Sequence, residues 1–436
     1  MKFKNLLLCV LSLYLSSCAM VSLKPQDTRE YIMSKRADVL TEKHLSASTM
    51  EIVGVVAKSR RECEKQIADC IQTIEKVGLP QQSSTYLAAM SELWLYQAQK
   101  LQKEENQVEA YHDALMKSAR YAYAYLFYGA TPINQRVLDN RQMQVADYYN
   151  YAVQTFVNEN FNRYTNAEIA ASSQHGQVHI GEWKLHSDLS QMHLPQSRAL
   201  PDHLIAATQL RFQGLRNVSQ RDGFGAELVS VIDEDKQEQN QSNFSEMNAS
   251  PATVLIHFKG KDLDEVLRSH DVVIQGMDPF SHETVTVNQQ TVPLAANFTG
   301  AYGVWLANSG FARQSLKTLL GKDGGIEHPH VYLMQPYDPD RRIILMVHGL
   351  ASSPEAWVNM ANDLMGDYAI RQRYQIWQVY YPTNMPIALN HVAIRRVVDD
   401  TLRHFDPTGA HPASKDMVVV GHSMGGVISR MMIASD

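Results

Sequence analysis

The chain has 436 residues, enough for two or three domains with sizeable cores. Its 44% hydrophobic and 20% charged content is that of ordinary globular protein, and a mild net charge of −6 without clustering excludes the basic footprint of a nucleic-acid binder. In chain order, the first element is short. Lys2 and Lys4 form a positive start, and Leu6 to Leu15 form an apolar run that stops well before the roughly 20 residues needed to span a bilayer. This reads as a secretory signal ending at Leu15-Ser16-Ser17-Cys18. After residue 23 no apolar run approaches spanning length.

That ending resembles the lipobox of bacterial lipoproteins, which implies that residues 1–17 are removed and that Cys18 becomes the lipidated first residue. An ordinary cleavage site is the other reading. Residue 19 is Ala and not the Asp that favours inner-membrane retention in such lipoproteins. The resemblance therefore implies an exported protein whose membrane partner is the outer membrane of a Gram-negative cell envelope, reached through the lipid anchor. Of the four cysteines, Cys63 and Cys70 then remain. Export permits a disulfide between them. On one straight helix their Cα atoms would stand roughly 10.5 Å apart, beyond the ~7 Å that a disulfide tolerates. A bond needs a chain turn between them; without one they are two thiols on one helix face.

Residues 18–170 read as a helical domain. Leu87, Met90, Leu93 and Trp94 recur at helical spacing, and a second helix begins near Gln107 with small residues at Ala110, Ala114 and Ser118. The polar break between them predicts a helical hairpin. Gly129 to Pro132 is a stop, and a further helix runs from Asn140 to Asn158. Tyr121, Tyr123, Tyr125, Tyr148, Tyr149 and Tyr151 are read as packing, with a ligand groove as the alternative. From 171 to 310 the period changes to two, in Val178–Ile180, Trp183–Leu185, Val254–Phe258 and Val285–Val287, so a β-rich domain of sandwich type is expected. Within it, residues 233–250 are polar and read as a disordered loop. Residues 311–330 are read as a linker.

Residues 331–436 read as an α/β domain. Ile343 to Val347 is an apolar run fitting a strand buried on both faces, and it enters His348-Gly349-Leu350. Ser352-Ser353-Pro354-Glu355 starts a helix. Gln375 to Tyr381 is a second strand, Ile387 to Phe405 a second helix, and Met417 to Val420 a third strand. The β-α-β-α-β order predicts a parallel sheet.

The third strand delivers Gly421-His422-Ser423-Met424-Gly425-Gly426, followed by an apolar helix. G-x-S-x-G between strand and helix is the nucleophile elbow. The turn is too tight for side chains at Gly421 and Gly425. It lifts the Ser423 hydroxyl, while the new helix points free N–H groups at the same spot, so the Met424 N–H becomes an oxyanion donor. The Leu350 N–H, after Gly349, is the second. HGL followed by GHSMGG resembles the lipases and esterases with a single glycine at this loop. The wider stretch, including Pro336–Pro339, Tyr374–Trp377 and Tyr381–Thr383, looks like a group of Gram-negative lipoprotein hydrolases with long N-terminal extensions, a likeness specific for 331–436 alone.

The implied activity is that of a membrane-anchored carboxylester hydrolase, an esterase or lipase working through an acyl-enzyme on Ser423, with an ester or acyl substrate. No cofactor is expected, and no metal, since HExxH and CxxC are absent and His328-Pro-His330 reads as linker. Acyl transfer, amide cleavage and thioester cleavage use the same elbow, and a non-catalytic outer-membrane interaction protein is the remaining alternative. A serine needs a base, and this fold places the acid and then the histidine after it. The residues following Ser423 contain no histidine. The expectation is therefore an inactive, C-terminally truncated fragment, holding the α/β domain only up to the elbow.

Overall fold

The computed structural model describes residues 33, 36–77, 83–161, 178–194, 200–233, 242–311 and 327–434. The expected signal peptide and Cys18 lie outside them, as do 234–241 of the expected loop and 312–326 of the expected linker.

The N-terminal helices are α1 (Ala47–Val55), α2 (Arg60–Lys65), α3 (Ile67–Lys76), α4 (Ser84–Leu101), α5 (Val108–Tyr128) and α6 (Asn140–Phe161). The hairpin α4–α5 is as tight as its small residues suggest. Ser91 and Ser118 meet across it, each hydroxyl donating to the other's carbonyl at 3.1 and 2.9 Å. Between α2 and α3 the helix breaks at Gln66 (φ −128°, ψ 62°), which brings the Cα atoms of Cys63 and Cys70 to 5.2 Å and allows the disulfide that joins them. Five of the six singled-out tyrosines are buried in the core; Tyr151 instead lines a cavity.

The middle of the chain contributes β1 (Val178–Ile180), β2 (Trp183–Gln191), β3 (His203–Ala206), β4 (Gln220–Arg221), β5 (Ala226–Val231), β6 (Phe244–Glu246), β7 (Ala249–Phe258), α7 (Leu263–Arg268), β8 (Asp271–Met277), β9 (Thr284–Val287), β10 (Gln290–Pro293), β11 (Ala296–Asn297) and α8 (Phe298–Ser309). Six strands form one sheet, in the order β1-β2-β8-β7-β5-β3. The sandwich expectation is corrected here, because this sheet is covered by helices. Along β5, Ala226 and Leu228 join the core shared with α4, α5 and α6, while Val229 and Val231 join the core shared with α8. Burial on both faces explains why Val254, Leu255 and Ile256 of β7 form an unbroken apolar run that does not alternate.

The last region contains β12 (His330–Leu333), β13 (Arg342–Val347), α9 (Val358–Gly366), α10 (Tyr368–Arg373), β14 (Tyr374–Tyr380), α11 (Ile387–Phe405), β15 (Val418–Gly421) and α12 (Met424–Ile433). Its five-stranded sheet has the order β15-β13-β14-β12-β6. β13, β14 and β15 are parallel as expected, but β12 runs antiparallel to β14, so the sheet is mixed.

Two further expectations are corrected. Residues 244–246 and 249–250 of the polar stretch lie in strands, and β6 lies parallel to β12, pairing Val331 with Phe244. Polar side chains on an edge strand lose little water, so composition alone did not reveal it. Packing also crosses the expected boundary at 311–330. Phe298, Tyr302, Trp305 and Phe311 share one core with Ile344, Met346, Ile376 and Tyr380.

Candidate active site

Because β13, β14 and β15 are parallel, their C-terminal ends lie along one edge of the sheet, the edge at which open α/β sheets place their sites. Three loops meet there. The loop after β15 is the elbow. Ser423 stands as N-cap of α12 with φ +54° and ψ −123°, a conformation a residue with a side chain adopts only when its surroundings force it. The forcing is visible on both sides. A methyl group on Gly425 would overlap the carbonyls of Val347 and His348, and one on Gly421 would lie 2.5 Å from the Gly425 oxygen. Ser423 itself is exposed, so its hydroxyl meets solvent. The Met424 N–H opens the first turn of α12 at the same point, where a helix has no internal acceptor for it.

The second loop follows β13. The β13–β15 register pairs Val347 with Gly421, and the His422 N–H donates to the Val347 carbonyl at 3.1 Å, so the HGL loop runs beside the elbow. Gly349 is where they touch: a methyl there would come within 3.0 Å of the Ser423 Cβ and 3.2 Å of the His422 Nδ1. Leu350 projects outward, 57% exposed. The third loop, after β14, braces the second: the Ala351 N–H donates to Thr383 Oγ1 at 3.1 Å, and Tyr381 OH donates to the His348 carbonyl at 2.7 Å. Thr383 and Tyr381 were visible in the sequence only as part of a family likeness. No spacing rule assigned them a supporting role, because they act across strands.

The nearby histidines do other work. His348 is fully buried, stacks on Tyr381 with ring centroids 4.5 Å apart, and holds Nδ1 3.0 Å from the Gly349 carbonyl. Burial pushes its imidazole down to about 4, so it stays neutral and structural at physiological pH. His422 sits edge-on to Trp357. His404 packs on Phe244 and Phe405 toward the end of α11, and His411 pairs with Asp406 in the loop that enters β15 from the opposite end. His330, from the HPH triplet, is half-buried with Nε2 2.9 Å from Ser245 Oγ, a packing role in the β6–β12 pair. Among the described residues, no hydrogen bond joins the Ser423 hydroxyl to a histidine. Among the described residues the site therefore holds a strained candidate serine beside candidate oxyanion donors, with no histidine in contact with it.

Residues 338–435 match the family model described as "Putative serine esterase (DUF676)". A serine-esterase-like fold is thus present in the C-terminal hundred residues, which are under a quarter of the chain. No curated protein and no solved structure matches the chain.

Proposed function

We propose that the chain is a serine hydrolase of the cell envelope, acting on carboxylic esters with an apolar acyl or alcohol part. The observation that carries this reading is the Ser423 backbone at φ +54°, clamped between Gly421 and Gly425 and touched by Gly349, within the stretch matching a serine-esterase family. Ser423 Oγ attacks the acyl carbonyl and forms the C–O bond. The carbonyl oxygen becomes an oxyanion held by the Met424 and Leu350 N–H groups, and the alcohol leaves with a proton from a base. Water then cleaves the acyl-enzyme. Apolar substrate chemistry is supported by the exposed Leu350, Met385, Ile387 and Leu389, which belong to the loops and helix start at the same sheet edge.

In this reading the base is a histidine brought to the side of β15 away from β13, the one strand with which β15 pairs among the described residues. The absence of such a contact among the described residues supports a second reading, an acyl-binding protein that retains the elbow without turnover. Fluorophosphonate labelling in the native bacterium separates the two. The hydrolase reading expects modification at Ser423 and none in Ser423→Ala; equal labelling of both, or none in either, leaves only the binding reading.

Anchoring through Cys18 is part of the proposal and rests on the apolar run and the two serines before it. Among the described residues no helix is long and apolar enough to cross a membrane. A clickable fatty acid should label the wild type and not Cys18→Ala.

A further inference from the structure

The loop His348-Gly349-Leu350-Ala351 is held peptide by peptide. The His348 carbonyl accepts from Tyr381 OH at 2.7 Å, and the Ala351 N–H donates to Thr383 Oγ1 at 3.1 Å. Ala351 itself stands at φ +53°, a strained conformation that its surroundings must hold. Between these two bonds lies the Gly349–Leu350 peptide, which carries a candidate oxyanion donor. Its carbonyl, on Gly349, lies 3.0 Å from His348 Nδ1. A carbonyl only accepts, so the imidazole proton in this bond is on Nδ1.

A trans peptide is planar, with its C=O and N–H pointing in opposite directions. His348 is fully buried and stacks on Tyr381. Turning the Gly349 carbonyl toward that ring therefore turns the Leu350 N–H away from the core. Among the described residues the Leu350 N–H has no hydrogen-bond partner. It lies one residue beyond Gly349, where an added methyl would come within 3.0 Å of the Ser423 Cβ.

Burial holds the imidazole down at about 4, with the Gly349 bond opposing the shift, so the ring is a neutral donor at physiological pH. Its Nε2 is buried without a hydrogen-bond partner, so the single ring proton is committed to the loop. A leucine of similar size would fill the space against Tyr381, yet would leave the Gly349 carbonyl without its donor.

We propose that His348 is a positioning residue for acyl transfer at Ser423: its Nδ1–H holds the Gly349 carbonyl inward and so aims the Leu350 N–H at the oxyanion. The inference rests on the esterase reading of Ser423. His348 touches no reacting atom and acts through one peptide plane. Without its bond that peptide is free to rotate, and the oxyanion loses a donor.

Ring nitrogen shifts of isotope-labelled histidines in the full chain report the tautomer, with His348→Asn identifying the signal. His348 should show a protonated Nδ1 and a bare Nε2; a proton on Nε2 would overturn the proposal, whether or not a variant folds. Rates are then compared for wild type, His348→Asn and His348→Leu purified from the native bacterium, using a fluorophosphonate and p-nitrophenyl butyrate. In His348→Leu, kcat should fall by roughly a hundredfold while KM stays within about threefold, as when an oxyanion donor is lost. Asparagine, whose amide N–H stands near the place of Nδ1, should recover about tenfold of that loss. Packing alone predicts the reverse order, with leucine the better substitute. A His348→Leu variant as active as wild type, or asparagine no better than leucine, overturns this proposal and leaves the esterase reading intact. Wild type unlabelled at Ser423 overturns the esterase reading and this inference with it.

Discussion

Ser423 is the residue where local preference and global demand disagree most. A φ of +54° costs a residue with a side chain on the order of 1–3 kcal/mol, and the strand before it and the helix after it supply the constraint. Its flanking glycines are accordingly intolerant. Gly425→Ala should destabilise the protein by about 3 kcal/mol or more, since the new methyl meets backbone carbonyls that cannot move aside. Urea unfolding measures this, and a loss under 1 kcal/mol would mean that the turn relaxes. At Glu227 the effect reads out against pH. Its carboxyl sits at about 7 in the folded protein, above its ordinary value of 4.5, so the folded state holds its proton more tightly than the unfolded state. Stability from this group is full below about pH 4 and is lost as pH rises toward 7. Asp147 acts in the same direction. Glu227→Gln should therefore raise the melting temperature more at pH 8 than at pH 5, and an equal effect at both would contradict the burial assigned to it.

Among the elements, α6 is tied to the first helices by charge as well as by apolar packing. Glu92 on α4 is fully buried and accepts from Ser46, Thr49 and the Val39 N–H, while Arg141 on α6 reaches it at 3.1 Å. Removing the cation leaves a buried carboxylate without its counter-charge. Arg141→Met should therefore cost about 3–5 kcal/mol, with Glu92→Gln in the same chain restoring part of the loss. An additive double variant would show that the two residues are not coupled. The α2–α3 corner carries a different staple. Closing so short a loop contributes about 2–3 kcal/mol in the chain-entropy account. Cys63→Ser/Cys70→Ser should show that loss in denaturant, and a reductant should impose it on the wild type while leaving the variant unchanged.

On the scale of the whole molecule, the three regions do not stand as separate bodies. β6 and α8 come from the middle of the chain, yet one extends the sheet of the elbow and the other covers its core. Tyr302 on α8 accepts a hydrogen bond from Gln378 on β14 at 3.2 Å, beneath that cover. A fragment of residues 327–434 should therefore expose Met334, Ile344, Met346, Ile376 and Tyr380, bind an apolar dye and fail to melt cooperatively. Cooperative melting of a soluble monomeric fragment would show instead that the α/β region closes its own core.

The elements of the elbow were legible in the sequence because each depends on residues close together. The apolar run 343–347, the glycines at 421 and 425 and the apolar spacing of 387–405 specify strand, turn and helix locally, and those elements form within a residue or two of the expected bounds. The α4–α5 hairpin was legible for the same reason. Contacts between distant segments were not. Periodicity reports which face of an element is apolar, and is silent about what covers that face. Hence neither the helices over the six-stranded sheet nor β6 beside β12 could be read in advance. The Cys63–Cys70 bond is the intermediate case: spacing posed the alternatives, and the break at Gln66 decided between them. Sequence alone thus determined the turn that presents Ser423, whose geometry is local. Tertiary structure alone decided what supports Ser423, because that depends on which strands pair and which faces they bury.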